Sequence, residues 1–159
     1  MRRRDVMGAV ASLAWAGGAT AAVARGDAVA WPDGVTLLDG TAWVPRPGHA
    51  QVIVRWATWC GFCRRHNAHV NALLRSLPAD APLQVLAVAA DRDPEAVRRH
   101  VRAEGYTFPV TLDAAGFAAL SPRRVIPLTI TVDRQGRLRE IIPGEMAEAD
   151  VMALADLAR

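Results

Sequence analysis

Residues 51–64 read Gln51-Val52-Ile53-Val54-Arg55-Trp56-Ala57-Thr58-Trp59-Cys60-Gly61-Phe62-Cys63-Arg64. The stretch from Gln51 to Ala57 is β-branched and nearly continuously apolar, as expected of a central strand buried on both faces. From about Gly61 to Leu77 the pattern becomes helical, with Val70, Leu73, Leu74 and Leu77 along one stripe and Pro78 as the stop. The chain's two cysteines, Cys60 and Cys63, therefore stand where a strand hands over to a helix.

Working outward, Leu83–Ala89 reads as a second buried strand. Asp93-Pro94-Glu95 then opens a helix running through Glu104, with Asp as cap, Pro in the first turn and Gly105 beyond its end. Val35–Leu38 is expected as an edge strand turning at Asp39-Gly40, Phe108–Leu112 as a short strand and Ala114–Leu120 as a short helix. Leu128–Val132 and Leu138–Ile142 form a hairpin around Asp133-Arg134-Gln135-Gly136, and Ala147–Ala158 closes the chain as an amphipathic helix. Strands alternating with helices predict an α/β domain with a sheet covered by helices.

The cysteine pair admits four readings. A structural disulfide across a loop this small would constrain little of the unfolded chain. Zinc needs two more ligands, for which His49, His66, His69 and His100 are the histidines available. Haem attachment requires His directly after the second Cys, where Arg64 stands. Redox chemistry needs only what is present, and it is the preferred reading. A Cys at a helix N-terminus lies near unsatisfied N–H groups and the positive end of the helix dipole, which stabilise a thiolate. Cys60 is thereby the expected nucleophile. Cys63, one turn on, is the expected resolving thiol, which attacks a mixed disulfide on Cys60.

With 159 residues, 52% of them apolar, the chain suits one domain with a short appendage. Removing the three Arg and one Asp of residues 1–24 from 19 basic and 16 acidic side chains leaves a net charge of about +1, which argues against a nucleic-acid footprint. The chain has no Lys, which excludes Schiff-base chemistry and a Walker-type phosphate lysine. Met1-Arg2-Arg3-Arg4-Asp5 followed by the Ala/Gly-rich stretch Val6 to Ala24 reads as a secretory signal. Cleavage fits after Ala22-Val23-Ala24 or after Ala28-Val29-Ala30, with the first preferred. Arg3-Arg4-Asp5-Val6-Met7 matches a twin-arginine core, although Arg2 replaces the usual Ser/Thr, so either export route is open. A retained membrane anchor is the competing reading. Residues 1–24 are thus signal or anchor and 25–159 the domain, outside the cytoplasm in either case.

Trp56-Ala57-Thr58-Trp59-Cys60-Gly61-Phe62-Cys63-Arg64 resembles the W-A-T-W-C-x-x-C-R signature of TlpA/ResA-like periplasmic thioredoxins. The likeness runs over roughly residues 33–159 and includes Val88-Ala89-Ala90-Asp91, Tyr106-Thr107-Phe108-Pro109-Val110 with Leu112-Asp113, and Val125-Ile126-Pro127. It implies a thioredoxin-like α/β fold, a central mixed sheet flanked by helices. It also implies a redox-active Cys60/Cys63 disulfide, a supporting place for Trp59, and a cis peptide bond at Pro127 that turns the Ile126 backbone toward a substrate cysteine. Ile126 and Phe62 would then touch substrate. An ordinary Pro starting a strand is the plain alternative for Pro127.

The departures from the pattern are specific. Val54 stands where relatives carry a buried Asp or Asn, and Arg55 places a charge in a core strand, where it must find a partner or water. Phe62 replaces a Pro common between the cysteines, and Leu128 a Thr common after the cis-proline. His66 occupies the place of a Glu frequent in ResA-like members, and Ala68 that of a helix-kinking Pro. His66 is either a solvated surface residue or a titratable group over the resolving thiol, and His49, His69 and His100 are read as surface residues.

The resemblance implies a reductant of a specific protein disulfide client, such as an apocytochrome c or a copper-centre protein, recharged by a membrane thiol reductase and needing no cofactor. A monomer is expected. The same chemistry run as an oxidase is the second reading, and a non-enzymatic copper carrier using Cys60, Cys63 and His66 the third.

Overall fold

The computed structural model describes residues 22–159, so the signal or anchor expected at 1–24 lies almost wholly outside the described residues. The elements in chain order are β1 (Ala50–Trp56), α1 (Gly61–Ser76), β2 (Leu83–Ala89), α2 (Pro94–Glu104), β3 (Val110–Thr111), β4 (Leu128–Val132), β5 (Leu138–Pro143) and α3 (Glu148–Ala153). The five strands form one mixed sheet in the order β3-β2-β1-β4-β5, parallel from β1 through β3 and antiparallel at β4 and β5. This is the thioredoxin-like arrangement.

Side-chain alternation along β1 divides the core in two. Val52, Val54 and Trp56 join Val70 and Leu73 of α1, Val97 of α2 and Val151 of α3 on one face. Ile53 joins Leu86, Val88, Leu128 and Ile130 on the other, covered by Val35, Trp43, Phe117 and Leu120 rather than by a long helix. The helix ends follow local chemistry. The Asp93 carboxylate accepts the Glu95 N–H at the start of α2, and Gly105 ends it at φ +65°, a left-handed conformation that glycine adopts without steric penalty. Leu77, the residue before Pro78, is extended and stops α1.

Three expected elements take different forms. Val35–Leu38 forms only isolated bridges, because the Asp39-Gly40 turn folds it straight back on 41–43, leaving no length for a ladder. Ala114–Leu120 contracts to a 3-10 helix over Gly116–Leu120, ended by an extended Ser121 before Pro122. The closing helix is α only to Ala153 and then 3-10 over Leu154–Ala158, where apolar residues spaced by three, Val151, Leu154 and Leu157, suit the tighter turn. Upstream, Gly26 to Val29 lies beside the β4–β5 hairpin, with Gly26 N–H donating to Leu138 O and Val29 N–H to Gly136 O. Among the described residues no helix is long and apolar enough to cross a membrane.

Candidate active site at the start of α1

β1 ends at Trp56, and residues 57–60 carry the chain to α1. That short loop is fastened to the end of β2: Asp91 accepts hydrogen bonds from the Thr58 backbone N–H and hydroxyl, and Ala90 N–H donates to Trp56 O. Cys60 is the N-cap of α1, its Sγ accepting the Cys63 N–H at 3.2 Å, so the sulfur sits where the helix presents an unsatisfied donor. Cys60 and Cys63 are joined as a disulfide with their Cα atoms 5.2 Å apart. Cys60 is half-buried and Cys63 fully buried.

The Ile126–Pro127 peptide bond is cis. Register places it at the same end of the sheet as Cys60, since Arg55 pairs with Leu128, which sets Pro127 just beyond the last paired residue. Ile126 and Cys60 are half-buried against the core cluster that contains Cys63, and Pro127 O accepts the Gly144 N–H at 2.8 Å. Trp59 and Phe62 stand 73% and 63% exposed around the cysteines, with the Arg65 guanidinium 5.0 Å from the Phe62 ring centre.

His66 is not a surface residue, as one of the two sequence readings had it. It is completely buried, one turn of α1 beyond Cys63 and facing β4. Its Nδ1 accepts the Met146 N–H at 3.3 Å, which places the ring hydrogen on Nε2, 3.0 Å from the Thr129 hydroxyl. Burial, reinforced by nearby His69 and opposed by Glu145, lowers its pKa to about 4, so the ring is neutral at pH 7. An imidazolium attracting the thiolates, one of the two states considered from sequence, is therefore corrected to a neutral ring. Its lone pair is already engaged by Met146, so taking a proton from Cys63 would cost that hydrogen bond.

Thr129 is the cross-strand partner of Val54. Val54 is itself apolar and fully buried, and a buried polar pair is formed across from it by Thr129 and His66. No local signal in the sequence singles out Thr129 or Met146. Glu145 pairs through both carboxylate oxygens with Arg65, which holds its carboxyl below the usual range. Arg55 finds the Arg123 carbonyl, 2.8 Å from its Nη1, and no carboxylate among the described residues. Its pKa is lowered by burial and then by the like charge of Arg124. His100, read as a surface residue, is half-buried, with its ring centroid 5.5 Å from that of Trp56. No three His, Cys, Asp or Glu side chains among the described residues converge as a metal-binding set.

Comparison with known proteins agrees with this geometry. The Redoxin family model matches residues 41–157. The thiol-disulfide oxidoreductase ResA of Geobacillus kaustophilus is 29% identical over 98 residues, covering 60% of this chain and 55% of ResA, so the matched part spans just over half that relative's length. A thiol:disulfide interchange protein of the thioredoxin family from Chlorobium tepidum superposes with a TM-score of 0.73 at 19% identity, covering 85% of this chain and 99% of its own. A secreted disulfide oxidoreductase of Mycobacterium tuberculosis superposes with a TM-score of 0.66 at 18% identity, covering 77% and 92%. With more than two thirds of its length matched by the family model and a CXXC pair at the head of α1, the chain belongs to the Redoxin family and is similar to ResA-like thiol-disulfide oxidoreductases.

Proposed function

We propose that the chain is an extracytoplasmic thiol–disulfide oxidoreductase that reduces a specific protein client through Cys60 and Cys63. The observation that carries this reading is the asymmetry of the pair: Cys60 is accessible and receives a backbone N–H, while Cys63 is buried one turn along. The Cys60 thiolate attacks one sulfur of the client disulfide. A Cys60–client bond forms, the client S–S bond breaks, and the released client thiolate takes a proton from water. Cys63 then gives its proton to water and attacks Cys60, breaking the Cys60–client bond, forming the Cys60–Cys63 disulfide and releasing the second client thiolate, which is protonated from water. Two electrons pass to the client, and a membrane dithiol reductase is the donor that restores the pair.

In this reading the cis Pro127 bond turns the Ile126 backbone toward the client, Phe62 and Ile126 touch it, and Trp59 shields the mixed disulfide. Neutral, doubly hydrogen-bonded His66 positions α1 against β4 beneath the thiols. Residues 1–24 direct export or anchor the domain 25–159, as the similarity to a secreted relative supports. The client class is an apocytochrome c or copper-centre protein. The experiment is the equilibrium redox potential of the purified protein. A value near the thioredoxin end of the scale, about −270 mV, agrees with a reductant, and one near about −120 mV establishes the oxidase reading instead.

A further inference from the structure

Trp59, Phe62 and Val125 are three of the four large apolar side chains that the described residues leave exposed, and all three lie in the segments that flank the disulfide and the cis-proline. The charges beside them are unevenly balanced. On the α1 side Arg64 pairs with Glu104 and Arg65 with Glu145. On the cis-proline side Arg123 and Arg124 are exposed and have no ion-pair partner among the described residues, and the stretch from Ala114 to Val132 contains no Asp or Glu. Arg55 lies beneath the same loop, half-buried, with a carbonyl for its partner and the Arg124 charge raising the local positive potential. A guanidinium in the central strand is costly unless compensated. Two neighbouring cations, Arg55 and Arg124, with the exposed Arg123 next in sequence and no anion paired to them among the described residues, form a field that an incoming carboxylate relieves.

We propose that Trp59, Phe62, Val125, Arg123 and Arg124, with Arg55 below, form a docking surface for a protein segment whose cysteine is flanked by an apolar side chain and by carboxylates. This rests on the redox reading above and names the chemistry of its client. The apolar residues cover the client on either side of its cysteine, while the arginines select for acidic residues over the cis-proline loop and speed encounter at low salt. The paired Arg64 and Arg65 leave the opposite side indifferent to charge, so the acidic residues of the client lie on one side of its cysteine.

The test uses the full chain, reduced beforehand with a dithiol and freed of it. It is mixed in single turnover with three peptides that share one disulfide ring and one apolar neighbour and differ in flanking Glu, Gln or Lys. The Glu peptide is expected to react about tenfold faster than the Lys peptide at low ionic strength, with the ratio shrinking as salt screens the charges. The double variant Arg123→Glu, Arg124→Glu is expected to reverse the order. The ratio taken within one protein cancels any general change in its activity. Equal rates for the three peptides overturn the docking surface while leaving the redox reading intact; a protein that reduces none of them overturns both. Glutathione disulfide reduced as fast as the Glu peptide assigns the cations to a small acidic disulfide and overturns the protein segment.

Discussion

Replacing His66 by Gln removes one titratable group and leaves an amide able to donate to Thr129 and accept from Met146. The consequence is a change in how stability responds to acid. In the unfolded chain His66 takes up its proton near pH 6.5, and in the folded protein only at about 4. Between those values the unfolded state binds more protons, so stability rises with pH across the window. It is fully present above about 6.5 and is lost as pH falls toward 4. At about 1.4 kcal/mol per pH unit the difference amounts to about 3.4 kcal/mol, of which about 2.5 kcal/mol is lost between pH 7 and pH 4.5. The carboxylates add their own acid loss, but this cancels when wild type and His66→Gln are compared, apart from the coupling of Glu145 to the ring. The assay is urea unfolding of both oxidised proteins at the two pH values, with the His66 ring followed by NMR. The wild type should lose about 2.5 kcal/mol more than the variant. Equal losses within about 0.5 kcal/mol, or a ring titrating near its ordinary value, would refute a buried neutral histidine.

Cys63→Ser should accumulate a mixed disulfide through Cys60, because the resolving attack is lost, whereas Cys60→Ser should abolish disulfide reduction. Alkylation of the reduced wild type near neutral pH should label Cys60 first, and faster labelling of Cys63 would reverse the two roles. His66→Glu sets a carboxyl at a fully buried position one turn from Cys63, where burial raises its own pKa; above that raised pKa the carboxylate raises the thiol pKa and lowers the redox potential relative to wild type and His66→Gln. If the three potentials agree within about 10 mV, well under the ~30 mV of a tenfold change, His66 has no influence on the redox pair. Protein purified in the reduced state without chelator should carry no stoichiometric zinc or copper, as elemental analysis would show. One tightly held metal per chain would favour the carrier reading.

The amino-acid sequence by itself determined the elements that depend on local chemistry. β1 follows from the β-branched run Val52-Ile53-Val54 and β2 from a nearly continuous apolar run of Leu, Val and Ala, while α2 follows from Asp93, Pro94 and Gly105, because caps and stops act within a few residues of themselves. The placement of Cys60 and Cys63 at the head of α1 was legible for the same reason. Short elements were less so: Val110–Thr111 and Gly116–Leu120 contain too few residues for periodicity to separate strand, helix and 3-10 turn, and their form is set by what they pack on. Only the tertiary structure decided the state of His66. Helical spacing placed it one turn from Cys63, but its burial and neutrality come from Thr129, 63 residues away, and from Met146, 80 residues away. Arg55 shows the same limit. Its charge was visible in the strand, yet its partner is a carbonyl of the loop before the cis-proline, brought alongside when β4 pairs antiparallel with β1. Contacts of that kind are made by the closing of the sheet, and no local pattern of residues encodes them.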